Sequence, residues 1–258
     1  MPSVEQIVDQ LGSSDQVKAY QARQALVKLT SEAGAPGNNQ RREELAAALA
    51  KALSQTKEVK DPKKPNDKPQ DVASRPANVR GLIARALASV AGEAEVSALQ
   101  AALADFEVRE MARWALDRMT CQGATDALVE AATKGIGVEF RVGAINALGK
   151  RNGSSTTAAL RECAKDSDYE IRLAAIEALA NHSDAANDEV IAGVSPEGPA
   201  GSGRRVNKRV ARSRIRLADR LAKAGQKDAA KKIFAAVADG KADEAQKKAA
   251  RVALAELG

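Results

Sequence analysis

Aromatic side chains are scarce in this sequence of 258 residues, which contains three Phe, two Tyr and one Trp. A β-sandwich draws on aromatic and β-branched residues, so this scarcity argues against that class, whereas abundant alanine favours closely packed helices. The sequence also lacks a run of apolar residues long enough to span a membrane, and its first residues lack the pattern of a secretion signal. We therefore expect an all-α, cytoplasmic protein with no membrane span.

Cysteine and histidine are almost absent, which limits the chemistry that the chain could perform. Cys121 and Cys163 have no motif around them, so we expect buried free thiols in a reducing compartment. His182 is the only histidine, and its position near a helix end predicts a surface or capping residue. Because no Cys-x-x-Cys pair, phosphate-binding loop or Ser-His-Asp set is present, the sequence predicts no catalytic residue, no metal and no cofactor.

A pattern of 13 residues recurs four times in the middle of the chain, at spacings of 29, 32 and 31 residues. Its copies are residues 76–88, 105–117, 137–149 and 168–180. Each copy has an arginine at its fifth position and an apolar residue before it. A small or apolar residue stands three positions after the arginine, with Ala and Leu at the sixth and seventh positions after it. A fixed period of about 30 residues indicates a solenoid, in which helical pairs bury their apolar faces by stacking on their neighbours.

Arg141 to Gly149 and Arg172 to Ala180 carry this pattern most completely. These stretches resemble HEAT-like repeats, specifically the short repeats of phycobilisome-lyase-like proteins, and the resemblance is strongest over residues 76–181. It implies a right-handed α-solenoid whose second helices line the concave side. It also implies a binding surface more often than an enzyme.

Three enzymatic activities of HEAT-like proteins fit this sequence poorly. Di-iron hydroxylases require repeated His-Glu pairs, which one histidine cannot supply. Alkylpurine DNA glycosylases use aromatic residues and an acid in a basic groove, and Trp114 with Asp117 is only a thin match to that set. Bilin lyase activity would depend on fold analogy alone. We therefore expect a protein that is not an enzyme.

The whole chain, residues 1–258, is predicted to be one α-solenoid of about seven helical pairs. Ser3 and Asp15 are placed to cap the first two helices. Two segments interrupt the pattern: about 56–75 is rich in proline and charge, and about 193–203 is rich in Gly, Pro and Ser. Both are predicted to be mobile insertions. Each falls between the first and second helix of a repeat, at an edge where insertions often mark the working face.

Each copy of the pattern places an arginine at the start of a second helix. These arginines are Arg80, Arg109, Arg141 and Arg172. They invite a phosphate-binding interpretation, but the periodicity needs no ligand if each arginine binds a carboxylate or carbonyl group of the adjacent repeat. Asp105 and Asp168 also stand one helical turn before their arginines, within reach of a side-chain pair. We favour a structural arginine ladder.

Trp114 occupies a position that is polar in the other three copies, where Arg85, Asn146 and Glu177 stand. We therefore expect these four side chains to face solvent on the concave surface, with Trp114 as an anchor for a protein partner. The alternative is that a long loop, such as 56–75, covers the indole.

The positive charge of the chain is concentrated near its C-terminal end. Residues 201–258 contain 16 Lys and Arg against 6 Asp and Glu, whereas residues 1–200 contain 24 against 28. From 204 to 223, a predicted helix, nine basic residues accompany a single acid, Asp219. Seven of the nine fall within an arc of about 120°. These seven residues, the cation stripe, are Arg205, Lys208, Arg209, Arg212, Arg216, Arg220 and Lys223.

A stripe of like charges costs stability through self-repulsion, so it indicates an anionic partner: an acidic protein, nucleic acid or a lipid surface. The alternative is a solubilising helix that caps the stack, although that role favours mixed charges. Arg214 is the one basic residue that points into the apolar face of this helix. No aromatic residue interleaves the stripe, which argues against stacking of single-stranded bases.

Two hypotheses about function follow. In the first, the protein is a scaffold that binds another protein, an acidic one, through its concave face. In the second, residues 204–223 bind the phosphate backbone of nucleic acid without sequence specificity.

Overall fold

A computed structural model of the protein describes residues 2–59, 70–199 and 201–258. Its contacts divide the chain into two compact units, Met1–Ala127 and Leu128–Gly258. The helices of the first unit are α1 (Val4–Leu11), α2 (Gln16–Ala33), α3 (Asn39–Ser54), α4 (Ala77–Val90), α5 (Val96–Ala102), α6 (Arg109–Arg118) and the start of α7 (Gln122–Lys134). The second unit holds the rest of α7, then α8 (Val138–Leu148), α9 (Ser154–Cys163), α10 (Tyr169–Leu179), α11 (Asn187–Ala192), α12 (Ser202–Lys223), α13 (Lys227–Ala238) and α14 (Glu244–Glu256). The all-α prediction is confirmed.

The helices pack in pairs, as a helical-repeat fold requires. In the first unit α1 packs on α2, α3 on α4 and α5 on α6, while α4 also packs on α6. In the second unit α9 packs on α10, α11 on α12 and α13 on α14. The second helices α8, α10 and α12 stack on one another in that order. The basic helix, α12, therefore occupies the second-helix position of its repeat.

The first two helices begin at the predicted caps. Ser3 and Gln6 form a reciprocal capping box, in which the Gln6 N–H donates to the Ser3 hydroxyl at 3.2 Å and the Ser3 N–H donates to the Gln6 side chain at 2.9 Å. The Asp15 carboxylate accepts the N–H groups of Val17 and Lys18. Each such cap typically stabilises a helix by about 1 kcal/mol.

The first predicted insertion begins and ends as a two-stranded ribbon, which the sequence analysis did not foresee. Strand β1 (Thr56–Val59) pairs antiparallel with β2 (Gln70–Ala73), with Thr56 opposite Ala73. The pairing joins residues that are distant in sequence, so composition alone did not reveal it. Residues 60–69, on which the predicted mobility of this insertion depends, lie outside the described residues.

The repeated pattern forms the core of both units. In all four copies the residue before the arginine, and those three and seven positions after it, are at most 2% exposed. Since these positions are spaced by four, they form one apolar stripe along each second helix. The stripe residues are Val79, Ile83 and Leu87; Val108, Ala112 and Leu116; Phe140, Ala144 and Leu148; and Ile171, Ala175 and Leu179.

Neighbouring second helices approach closely where the pattern places small residues. A Cβ atom on Gly149, at the end of α8, would lie 3.0 Å from the Cβ of Ala178 in α10. That separation is tighter than ordinary van der Waals contact, so the glycine at this position is explained by the space between the two helices.

In the first unit, the arginine of the pattern links one repeat to the next. Arg80 of α4 donates to the carboxylate of Asp105, in the turn between α5 and α6, and its Nη2 lies 3.7 Å from the Glu107 carboxylate. Burial alone would raise the pKa of Asp105. Hydrogen bonds from Arg80 and from the Glu107 N–H, with the Arg80 charge, instead hold that pKa below its usual value.

The second unit makes the same kind of link twice. Arg141 of α8 donates to the Asp166 carboxylate at 2.6 Å and to the Ala132 carbonyl at 2.8 Å. Arg172 of α10 donates to the Asp166 carbonyl at 2.9 Å and to the Glu197 carbonyl. The turn between α9 and α10 is therefore bound from both sides.

The structural interpretation of the arginine ladder is confirmed at these three positions. In each, the guanidinium binds a group 25 residues further along the chain. Asp105 pairs with the arginine of the preceding repeat, while Asp168 caps α10 by accepting the N–H groups of Glu170 and Ile171. The fourth arginine, Arg109, stacks on Phe106, with its Cζ 4.4 Å from the ring centroid.

Replacing Arg141 with Gln should lower the free energy of unfolding by about 2 kcal/mol, because the half-buried Asp166 carboxylate loses a charged hydrogen-bond donor. The matched control is Arg212→Gln, an exposed arginine of α12, which should change stability by less than about 0.5 kcal/mol. Urea unfolding followed by circular dichroism measures both. Equal losses in the two variants would contradict a structural role for the ladder.

Candidate binding surfaces

The helix α12 separates an apolar face from the cation stripe, as predicted. Its inner face is buried at Val206, Ala211, Leu217, Ala218 and Leu221. Five residues of the stripe are exposed, namely Arg205, Lys208, Arg212, Arg220 and Lys223, while Arg209 and Arg216 are half-buried. The stripe is therefore a surface feature along the length of the helix.

Two residues of the stripe have acidic neighbours. The Arg209 guanidinium lies 3.1 Å from the Glu177 carboxylate of α10, and the Lys208 ammonium lies 4.0 Å from the Asp243 carboxylate. Four others form no ion pair with a residue that the structure describes, namely Arg212, Arg216, Arg220 and Lys223. The C-terminal half of the stripe is thus the less neutralised part.

Arg214 lies on the other side of the helix, as predicted, and its inward position has a reason. Its guanidinium binds both oxygens of Asp188 in α11, at 2.7 and 2.8 Å, and both side chains are largely buried. An aromatic ring does approach the stripe, because Tyr169 of α10 lies 6.0 Å from the Cζ of Arg205, measured to the ring centroid. The fold brings this ring to α12 from a neighbouring repeat, which the local sequence could not indicate.

In the first unit, Trp114 of α6 is partly exposed and stands among cations. The Cζ atoms of Arg85, from α4, and Arg118, one turn further along α6, lie 5.6 and 5.2 Å from the indole ring. Both arginines are exposed. A ring in this setting offers an apolar surface with positive charge on its border, a combination suited to a partner with acidic and apolar residues.

The three equivalents of Trp114 differ in what they do. Arg85 and Asn146 are exposed, in agreement with the expected solvent-facing position. Glu177 is half-buried and engaged by Arg209, so its carboxylate serves an internal contact of the second unit. A shared concave surface for all four remains a prediction, as does cover of the indole by the 56–75 insertion.

The prediction that His182 is a surface residue is wrong. Only 4% of the residue is exposed, and its Nδ1 lies 3.0 Å from the Thr157 hydroxyl of α9. Burial lowers the pKa of His182 and the Arg220 charge lowers it further, against opposing effects of the Leu148 backbone and the Asp184 carboxylate. The sequence placed His182 at a helix end correctly, but it could not show that another helix covers that end.

Both cysteines are free. Cys163 is buried, as predicted, and burial raises the pKa of its thiol above the usual value. Cys121 is only half-buried, so the prediction of a buried thiol is not met there. Within the described ranges, no three His, Cys, Asp or Glu side chains are grouped so that they could hold a metal ion. In the same part of the chain, no helix combines the length and the apolarity needed to cross a membrane.

The sequence analysis missed two exposed apolar features of the first unit. Val17, Tyr20 and Val27 of α2 are 62–64% exposed and share one side of that helix, and Phe106 is 78% exposed. The spacing of three and seven residues within α2 was a usable signal. It was overlooked because the buried face of α2, which includes Ala22 and Leu26, accounts for the helical periodicity by itself.

A family model of HEAT repeats matches residues 138–194, which contain α8 to α11. The complex of CpcE and CpcF of phycocyanin lyase from Nostoc sp. PCC7120 is 18% identical, with 100% of this chain and 96% of that chain covered and a TM-score of 0.41. Computationally designed armadillo repeat proteins for modular peptide recognition give 19% identity, coverage of 98% and 99%, and a TM-score of 0.35. Human deoxyhypusine hydroxylase gives 16%, 98%, 95% and 0.36. No curated protein sequence matches this chain.

The resemblance to HEAT-like repeats is thereby confirmed where the repeats are most regular. The similar structures include repeat scaffolds and proteins named for enzymatic activities, all under 20% identical and with TM-scores below 0.5. Likeness at this level assigns neither an activity nor a partner. The expectation that this protein is not an enzyme therefore stays a prediction.

The fluorescence of Trp114 can test the surface around it, because it is the only tryptophan of the chain. We expect iodide to quench its fluorescence more efficiently than caesium does, since Arg85 and Arg118 attract anions to the indole. The variant Arg85→Gln/Arg118→Gln should lose this preference, whereas Arg42→Gln/Arg212→Gln, with the same change of net charge, should keep it. Weak quenching by both ions would show that the indole is covered.

The buried His182 predicts a specific dependence of stability on pH. Its folded-state pKa lies below its unfolded value, so the folded protein binds fewer protons and loses stability as the pH falls through the unfolded pKa. The loss should approach about 1.4 kcal/mol per pH unit at most. Urea unfolding at several pH values between 7.5 and 5.5 measures it. His182→Asn, which keeps an acceptor for Thr157, should flatten this dependence, and an unchanged slope would contradict the assignment.

Proposed function

We propose that this protein is a non-enzymatic scaffold that binds an acidic protein partner. The observation that carries the proposal is the cation stripe of α12, most of whose side chains are exposed while the opposite face of the helix is buried. Like charges along one helix face repel one another, and each such pair on a helix costs a few tenths of a kcal/mol. An acidic partner would remove that cost by supplying the missing counter-charges.

The surroundings of the stripe support a binding role over a purely solubilising one. A helix that only keeps the stack soluble can mix charges of both signs, as terminal repeats with polar outer faces do. Here the acids near α12 bind its border, because Glu177 pairs with Arg209 and Asp188 with Arg214. The outward side remains positive, and Asp219 is the single acid within the helix.

Trp114 supports the same proposal from the first unit. A tryptophan is a frequent anchor of protein interfaces because it offers a large rigid surface with few internal rotations to freeze. Arg85 and Arg118 beside the ring make its border positive, so it too fits an acidic partner. An acidic segment with one apolar side chain could use this surface, independently of the stripe.

Binding of nucleic acid is the second candidate, and the length of the stripe favours it. From Arg205 to Lys223 the helix rises about 27 Å, enough to follow several phosphates of a duplex backbone. Such binding would weaken steeply with salt, by about 0.9 in log K for each phosphate neutralised. Single-strand binding is less favoured, because Tyr169 is the single ring that the described structure places against the stripe.

The test compares two labelled probes, a poly-glutamate peptide and a generic DNA duplex, by fluorescence anisotropy at two salt concentrations. Arg205→Ser/Lys208→Ser/Arg212→Ser should weaken peptide binding about tenfold, whereas Lys227→Ser/Lys232→Ser/Lys248→Ser should weaken it less than about twofold. The second triple variant removes the same charge from exposed positions on α13 and α14. Duplex binding much tighter than peptide binding would favour the nucleic-acid candidate. No binding of either probe at low salt would overturn both.

A further inference from the structure

A groove in the second unit lies between the turn that follows α10 and the C-terminal half of α12. It is open to solvent on one side and combines side chains of three kinds: cationic, neutral polar and acidic. Its polar lining residues are Asn181, Ser183, Arg216, Asp219, Arg220 and Lys223. The sequence analysis grouped three of these in the stripe but gave no sign that α12 and the turn enclose a shared concavity.

Three cations converge on this groove from successive turns of α12. Arg216, Arg220 and Lys223 are spaced by four and three residues, so they project from one side of the helix. None forms an ion pair with a residue in the described ranges, in contrast to Arg209 nearby. Their charges are therefore available to a ligand, and the single acid of the groove, Asp219, offsets one of the three.

The wall opposite α12 supplies neutral hydrogen-bonding groups. Asn181 contributes a side-chain amide and Ser183 a hydroxyl, and the backbone of that turn is held in place by the packing of the buried His182 between them. Gln226, just after α12, donates to the Ser183 carbonyl at 3.4 Å and joins the turn to the helix end. The two walls are thus linked, so the groove is defined by packed elements.

This set of groups matches a phosphate monoester better than a carboxylate. A phosphate monoester carries a charge of about −1.5 to −2 and three acceptor oxygens, whereas a carboxylate carries one charge and two oxygens. Two guanidinium groups and one ammonium group can donate to all three oxygens, with the amide and the hydroxyl as further donors. A single carboxylate would leave much of this donor set unused.

The geometry also favours an isolated phosphate over a continuous nucleic-acid backbone. Asp219 stands in the same groove as the cations, and a chain of phosphodiesters passing through would bring further negative charge against it. Burial raises the pKa of Asp219, as does the charge of Glu256, while Lys223 acts in the opposite direction. A peptide can place a neutral or basic residue beside this acid, whereas a nucleic-acid backbone cannot.

We infer that this groove binds a phosphorylated serine or threonine of a protein partner, with Arg216, Arg220 and Lys223 holding the phosphate group. The inference rests on the proposed function, since it names the chemistry of the acidic partner at one end of the cation stripe. It makes binding to the scaffold dependent on a modification of the partner.

The test uses the full chain and a short phosphoserine peptide, with matched peptides that carry serine or glutamate at that position. Isothermal titration should give affinity at least about tenfold higher for the phosphoserine peptide than for the glutamate peptide. Arg216→Gln/Arg220→Gln should lower that affinity by about 10- to 100-fold. The control Arg205→Gln/Arg212→Gln removes the same charge from the other end of the stripe and should lower it less than about threefold.

Asp219→Asn should raise affinity for the phosphoserine peptide severalfold, because it removes the repulsion inside the groove. The single histidine gives a second readout. A phosphate beside Arg220 offsets the charge that lowers the pKa of His182, so the peptide should shift the NMR titration of the His182 ring to higher pH. The glutamate peptide should move it less.

Equal binding of the phosphoserine and glutamate peptides, or equal losses in the two double variants, would overturn the groove as a phosphate site. A generic duplex that displaces the phosphoserine peptide and loses affinity in Arg216→Gln/Arg220→Gln would place the phosphate on nucleic acid and also overturn it. The proposed function is separable: its failure is loss of the stripe's effect on poly-glutamate binding, which the groove variants do not measure.

Discussion

The bond from the arginine of a second helix to the turn of the next repeat is the directional contact on which the stacking of each unit depends. The N-terminal end of a helix carries a partial positive charge, so a guanidinium in the first turn is unfavourable there unless an acceptor compensates it. Asp105 and Asp166 supply carboxylates for Arg80 and Arg141, and Arg172 uses backbone carbonyls. Burial of alanine and leucine stabilises the stack without direction, whereas these bonds specify which turn lies over which helix.

The same distinction between paired and unpaired cations organises α12. Arg214 and Arg209, at the borders where α12 meets other helices, are bound by Asp188 and Glu177. Their pairing follows from desolvation, since a charge that is taken partly out of water requires a partner. The remaining cations face solvent and are stabilised by hydration. An incoming anion meets charges whose internal partners do not have to be displaced first.

Much of the fold could be predicted from the sequence because the signal is local and repeated. The residues that flank each arginine at −1, +3 and +7 recur four times, and all of them are buried. The caps at Ser3 and Asp15 depend on neighbours two or three residues away. What could not be predicted depends on contacts across repeats: the burial of His182 under α9, the pairing of Glu177 with Arg209, and the strands at 56–59 and 70–73.

The candidate site follows the same rule. The composition of residues 204–223 revealed the charged face of α12, since helical periodicity places those side chains without any knowledge of their neighbours. The groove at its end needed the structure, because Asn181 and Ser183 come from a turn some 35 residues before Arg216 and carry no motif.

Specific binding in a repeat fold has to come from positions that the repeat leaves free. In the regular copies, packing and the arginine bonds determine most of each second helix, and the position of Trp114 is one of the few that vary in character. The helix α12 departs further, since it has 22 residues where its neighbour α10 has 11. At about 1.5 Å per residue it exceeds α10 by about 16 Å, so much of its outer face has no second helix of equal length beside it. That extra length is where the unpaired cations lie, and a partner that covered it would complete the packing that the repeat array does not.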